Sequence, residues 1–176
     1  MPLETHGRWP LVGAAALLPV ALKAIDEPRL RPLAALLAHQ TEEWVWPGGF
    51  LPWINREVIG SDEDEFPLDR RVGFFVNVIF GWGTSLAAGA GSDVAAGFLY
   101  TTHLGNAALH VGWAAEHRRY DPGTLTAIAT LAPTALAGLR AHATQGDKRA
   151  LAAGVAIGLL GSVTLMPALK RRGARR

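Results

Sequence analysis

Residues 33–46, LAALLAHQTEEWVW, decide how this chain is read. The run is apolar apart from His39, Gln40, Thr41, Glu42 and Glu43, and two tryptophans, Trp44 and Trp46, stand behind them. On a helix, positions i, i+3 and i+4 share one face, so His39, Glu42 and Glu43 project together. One imidazole and two carboxylates then leave a segment that otherwise suits lipid. Ionisable groups are costly in such a segment and usually mark a site. The simpler reading is that Glu42 and Glu43 stand near a helix end and snorkel to the interface.

Composition extends the lipid reading to the whole chain. Of 176 residues, 49% are hydrophobic and only 18% charged, and the charges are clustered between long apolar stretches. That pattern predicts an all-α, polytopic membrane helix bundle rather than a soluble core. One integral membrane domain, 1–176, is expected, with 47–68 as an interfacial and acidic loop and 170–176 as a basic cytoplasmic tail. The absence of cysteine rules out disulfides, thiolate metal sites and a cysteine nucleophile. A net charge of +2 gives no argument for nucleic acid. The tail KRRGARR suits anionic lipid headgroups instead.

Six apolar segments are expected to span. The first, 9–22, is short and carries Pro19; a signal peptide is the competing reading. The second, 29–46, starts after Pro28 and stops before Pro47-Gly48-Gly49. Residues 49–60, GFLPWINREVIG, mix large apolar side chains with Arg56 and Glu57, as a segment lying on the membrane does. Asp62–Glu65 reads as a solvated loop. The third segment, 69–89, aligns Arg70, Gly73, Asn77, Gly81 and Thr84 on a small and polar face suited to helix contact. Gly91-Ser92-Asp93 signals a turn and cap before 93–118. The fifth segment, 122–142, puts Thr126, Thr130 and Pro133 on one face, and the sixth, 148–169, has Gly154, Gly158 and Gly161. Six spans put both termini on one side. If that side is cytoplasmic, it holds Arg8, Arg56, Arg70, Arg71, Arg118, Arg119 and the five basic tail residues. The other side holds Lys23, Arg29, Arg31, Arg140, Lys148 and Arg149, so the basic residues favour termini inside.

The segment 93–118 carries Tyr100, His103, Asn106, His110 and His117, the last four along one helical stripe. Asn106 and His110 have the i, i+4 spacing by which one helix offers two donors to one ion. At ~1.5 Å rise per residue, His39, Glu43, His103 and Asn106 fall at similar depths, and Asn77 lies near mid-depth from the other direction. These positions predict one intramembrane site.

His39-Gln40-Thr41-Glu42-Glu43 resembles the signature of the HxxEE-motif family of small integral membrane proteins. Asn106-Ala-Ala-Leu-His110 resembles that family's second motif, N-x-x-x-H, and Tyr120-Asp121-Pro122-Gly123 is similar to the Tyr-x-Pro-Gly stretch that follows it. The resemblance spans roughly 30–140. It implies a membrane protein without a settled activity, for which metal binding is an inference from the motif.

Three functions fit these residues. The first is a metal-dependent enzyme of the cell membrane. His39, Glu43, His103, Asn106 and His110 would hold a divalent ion, zinc by preference, with iron or manganese as alternatives for such nitrogen and oxygen donors. His39, Glu42 and Glu43 would be catalytic, with the spare glutamate as base toward an ion-activated water. Asn77, Trp44 and Tyr100 would contact a hydrophobic or lipid substrate, in hydrolase-type chemistry on a lipid or prenyl-like molecule. The second is a metal-free isomerase or cyclase of a terpenoid or sterol-like substrate. Glu42 or Glu43 would donate the proton, and Trp44, Trp46 and Trp82 would stabilise a carbocation. The third is a proton or ion carrier, since intramembrane His and Glu also form relays.

Overall fold

A computed structural model of the chain describes residues 7–173. Seven helices account for the ordered structure, with no strand among the described residues. They are α1 (Trp9–Asp26), α2 (Arg31–Trp44), α3 (50–59), α4 (Arg70–Gly89), α5 (Asp93–His117), α6 (124–145) and α7 (Lys148–Gly173). The last residues of the expected basic tail, 174–176, lie outside the described part.

Each helix starts where local chemistry lets it. Asp69 accepts from the Arg71 and Val72 amides at 2.9 and 2.8 Å and opens α4. Ser92 does the same for α5 through the Ala95 amide, after a turn in which Gly91 takes φ +96°. Asp147 accepts from the Arg149 and Ala150 amides and opens α7. These bonds satisfy donors that a helix start otherwise leaves unpaired. The sequence signal at Gly91-Ser92-Asp93 is therefore realised as a cap.

The bundle turns many large apolar side chains outward and buries a set of polar ones. Leu11, Leu18 and Leu22 on α1, Phe75, Ile79 and Phe80 on α4, and Leu159, Leu160 and Val163 on α7 all face outward and are exposed. His39, Gln40, Glu42, Glu43, His103, His110 and Asp121 are buried inside. Apolar groups outside and polar groups satisfying one another inside is the arrangement a hydrocarbon solvent requires. α1, α4 and α7 are long and apolar enough to cross a membrane.

The expected span at 29–46 is shorter in the fold. α2 has 14 residues, or ~21 Å at ~1.5 Å per residue, against ~30 Å of hydrocarbon. A 3₁₀ turn, Pro28–Leu30, precedes it, and the helix ends at Trp44, three residues before Pro47. Near its middle α2 is held from both sides. Gly13 of α1 brings Leu37 and Trp82 into contact distance, and Gly81 of α4 faces Leu36. Along the expected polar face of α4, Gly73 sits under the Trp44 ring, and Asn77 meets Gln40 of α2. Thr84 of that face bonds only its own helix backbone.

α3 covers the end of the bundle where α2 and α5 stop. Leu51 and Ile54 are buried with Leu68 among Trp44, Trp113 and Met166. Trp53 packs on Trp113 with ring centroids 5.4 Å apart. The expected interfacial segment is thus amphipathic, with its apolar side turned onto the bundle. Widened π-type turns occupy Ile54–Ile59, Phe75–Trp82 and Ala127–Leu131. Such turns often occur at functional sites, and the last two flank α2.

Candidate metal-ligating site

Three side chains converge at the end of α2: His39 and Glu43, one turn apart on α2, and His110 on α5. All three are buried, and their ligand-capable atoms lie within 4.8 Å of one another. The Glu43 Oε1 atom is 3.3 Å from His39 Nε2 and 3.3 Å from His110 Nε2. The two imidazoles meet edge-on, with centroids 5.0 Å apart and planes at 84°.

Their outer nitrogens fix the protons. His110 Nδ1 lies 2.6 Å from Asp121 Oδ1. A carboxylate oxygen only accepts, so this nitrogen carries the hydrogen. His39 Nδ1 lies 3.1 Å from Thr126 Oγ1. Thr126 has one hydroxyl hydrogen and gives it to Glu42 Oε2, so it accepts from His39 Nδ1–H. With Nδ1 carrying a hydrogen, a neutral His110 turns an Nε2 lone pair toward the carboxylate of Glu43, and His39 Nε2 lies beside the same carboxylate. Asn106 Nδ2 donates to His39 Nε2 at 2.9 Å. His110 Nε2 is buried and has no hydrogen-bond partner among the described residues. Acceptors that face one another in a dry interior call for a cation between them, a proton or a metal. A histidine whose second nitrogen is tied to a carboxylate or hydroxyl is also how proteins present the ring to a metal.

Glu42 faces another way. Its Oε1 accepts from Tyr120 Oη at 2.6 Å and from the Leu125 amide at 3.1 Å. Its Oε2 accepts from the Thr126 amide at 2.6 Å and from the Thr126 hydroxyl. The carboxylate thereby holds the N-terminus of α6, where the helix dipole favours negative charge. Glu42 is fully engaged in this cap, unlike the spare base expected from spacing alone. Desolvation, then the hydrogen bond and the charge of Glu42, raise the Tyr120 phenol above its ordinary value, so it remains a donor.

The segment 120–123 closes the site. Asp121 is fully buried and also accepts from Thr124 Oγ1 at 2.7 Å. Gly123 takes φ +113° and presses its backbone against the centre. A Cβ there would meet His110 Cε1 at 2.6 Å, His39 Cε1 at 2.9 Å and Glu43 Cγ at 3.0 Å. Only glycine combines that dihedral with that approach. The rings of Phe50 and Trp113 each lie 5.7 Å from the His110 ring.

A family model described as a protein of unknown function with HXXEE motif matches residues 32–137. The chain belongs to the HXXEE family. Comparison with curated proteins and with solved structures gives no match. The geometry gives each motif position a separate task. In the HXXEE motif the first and last residues, His39 and Glu43, face the centre, whereas Glu42 anchors α6. Of Asn106 and His110, the first donates to His39 and the second converges on Glu43. In Tyr120-Asp121-Pro122-Gly123 the tyrosine binds Glu42, the aspartate orients His110, and the glycine admits the centre.

The other expected site residues are distributed around this centre. His103 is buried, with no hydrogen-bond partner on either ring nitrogen among the described residues, and is not part of the converging trio. Asn77 bonds Gln40, whose Oε1 accepts from the Trp82 indole at 2.7 Å, so Asn77 and Trp82 tie α4 to α2. Trp44 packs on Trp9 and Phe50 at 5.0 and 6.2 Å. Trp46 is 80% exposed. Tyr100 lies on a separate cleft. Sequence reasoning missed Thr126 and Asp121 as partners of the histidines. Asp121 stood inside a noticed motif, and Thr126 was read only as one residue of a helix face.

Proposed function

We propose that the protein is a multi-pass membrane enzyme in which His39, Glu43 and His110 hold one divalent metal ion, zinc by preference. The observation that carries this reading is the convergence of His39, Glu43 and His110 with ligand-capable atoms within 4.8 Å of one another, both outer ring nitrogens being already committed to Asp121 and Thr126. Two histidines and one glutamate form a donor set known for catalytic zinc, and the same set suits iron(II). Such an ion lowers the pKa of a bound water and polarises an ester or phosphoryl oxygen. Asp121 and Thr126 keep the rings in the ligating tautomer. Glu42 keeps α6, and with it Gly123, in place. Phe50 and Trp113 exclude water from one side.

The chemistry proposed is hydrolysis of a lipid or prenyl-like substrate. It is supported by the outward apolar surface and by the position of the trio on helices that pack inside it. In this reading six segments cross the membrane with both termini cytoplasmic. The site then lies toward the cytoplasmic side, because Glu43 is one residue from the end of α2 and Asp121 precedes α6. A second reading, metal-free acid–base catalysis, draws on the Asn106 bond that satisfies His39 Nε2 without an ion.

The test is turnover of lipid esters and prenyl phosphates by the protein in nanodiscs, with products read by mass spectrometry. Chelation should abolish hydrolysis, and added zinc should restore it. Turnover that survives chelation favours the metal-free reading. Ion flux in liposomes that is lost in Glu43→Gln, without hydrolysis, favours a carrier.

A further inference from the structure

The far end of the same helices carries a second concave feature. A cleft of about 490 Å³ opens between the start of α2, the end of α4, the middle of α5 and the last turns of α6. Its volume is in the range of sites that take a small molecule. It is separate from the histidine–glutamate trio: Pro32 lines the cleft seven residues before His39, and Tyr100 lines it ten residues before His110. These separations correspond to ~10 and ~15 Å along the helices.

Three features of the lining specify a ligand. The charge is one-sided, since Arg29 and Arg31 line the cleft and no aspartate or glutamate does. Arg29 is partly committed, because its guanidinium bonds Glu27 at 2.7 and 3.0 Å. Among the described residues Arg31 spends only Nε, on the Ala24 carbonyl at 3.3 Å, and its terminal amino groups bond none of them. The second feature is Tyr100. It is 5% exposed, its hydroxyl bonds no group among the described residues, and yet it lines the cleft. Its ring lies on Gly138, where any Cβ would strike it, so the ring is held in one place. The third is His142, whose Nδ1 lies 2.7 Å from Asp93 Oδ1. Asp93 also accepts from the Asp147 amide at 2.8 Å, which fixes the carboxylate. This leaves Nε2 of the ring for the cleft. The remaining wall is prolines, alanines, glycines and Thr134.

We propose that this cleft binds an amphiphile with an anionic oxyacid head, a carboxylate or phosphate monoester, and an apolar body. Arg31 and Tyr100 hold the head, His142 borders it, and the wall around Pro133 and Ala137 takes the body. A guanidinium suits the head because its planar donors match two oxygens at once. The assignment stands independently of the metal reading.

The experiment measures saturable binding of radiolabelled octyl phosphate to the full chain in neutral phosphatidylcholine nanodiscs, with empty discs subtracted. Inorganic phosphate and octanol serve as competitors. Binding is expected to be displaced by unlabelled octyl phosphate and to resist a tenfold excess of either competitor. Arg31→Gln is expected to weaken it at least fivefold and Tyr100→Phe about twofold. Chelator is present throughout, so that the trio holds no ion to take the phosphate, and Arg149→Gln, outside the cleft, should leave binding unchanged. Should Arg31→Gln not fold, Tyr100→Phe decides alone, since it keeps the ring on Gly138. Absence of saturable binding overturns the proposal. So does displacement by inorganic phosphate or octanol as strong as by octyl phosphate, or binding that Tyr100→Phe and a folded Arg31→Gln leave at the wild-type level.

Discussion

α5 makes two interfaces that could hardly differ more. Toward α7 it meets glycine. A Cβ on Gly154 would lie 2.9 Å from the Phe98 amide nitrogen, and one on Gly97 would lie 2.8 Å from that of Val155. Gly158 faces the Phe98 carbonyl in the same way. The two backbones touch through small residues, the usual solution when apolar side chains gain nothing by leaving lipid. Toward α2 and α6, the same helix sends Asn106 and His110 into a set of buried hydrogen bonds that runs through His39, Thr126, Glu42 and Asp121, with Glu43 set against both imidazoles. The glycine seam shows that this bundle can pack helices without polar groups. Holding helices together therefore does not explain the histidines and carboxylates of the second interface.

If that contrast holds, the two interfaces should fail differently. Gly154→Leu should have the largest effect, because the new side chain has no space and α5 and α7 must separate. A loss above ~3 kcal/mol is expected, the upper end for overpacking, visible as loss of monodisperse protein on size exclusion. Glu42→Ala should come next. It strands the Leu125 and Thr126 amides and the Tyr120 hydroxyl, at about 2–3 kcal/mol for a charged hydrogen-bonding group, read by denaturant titration. Asp121→Asn should be the gentlest on the fold. It should leave unfolding nearly unchanged yet lower metal affinity about 10–100-fold, the usual cost of losing the group that orients a ligating histidine. If Asp121→Asn unfolded the protein as Gly154→Leu does, the distinction between packing and chemistry would collapse.

Much of the architecture could be read from periodicity. The helices at 93–117 and 148–173 follow the apolar runs closely, and Gly154 and Gly158 form the expected small face. Gly161 does not join it, since nothing lies within 4 Å of a Cβ there. Helix ends were harder to place. α2 stops at Trp44, which moves Glu43 from mid-depth to the helix terminus. The site was legible for residues that share a helix: His39 with Glu43, and Asn106 with His110, announce themselves by spacing. Asp121 and Thr126 do not, because their roles depend on how the turn at Gly123 brings α6 back against α2. Spacing also could not tell Glu42 from Glu43. Their side chains leave the helix ~100° apart, and only the position of α6 decides that one becomes a cap and the other faces the histidines.

The central claim is that His39, Glu43 and His110 form one metal site, and elemental analysis of the protein purified without chelator tests it most directly. One divalent ion per chain is expected in the wild type. It should be lost in His39→Ala, Glu43→Ala and His110→Ala while helical content and elution volume are retained. A metal-free wild-type protein that takes up no zinc, iron or manganese, or three folded variants that keep the ion, would contradict the account.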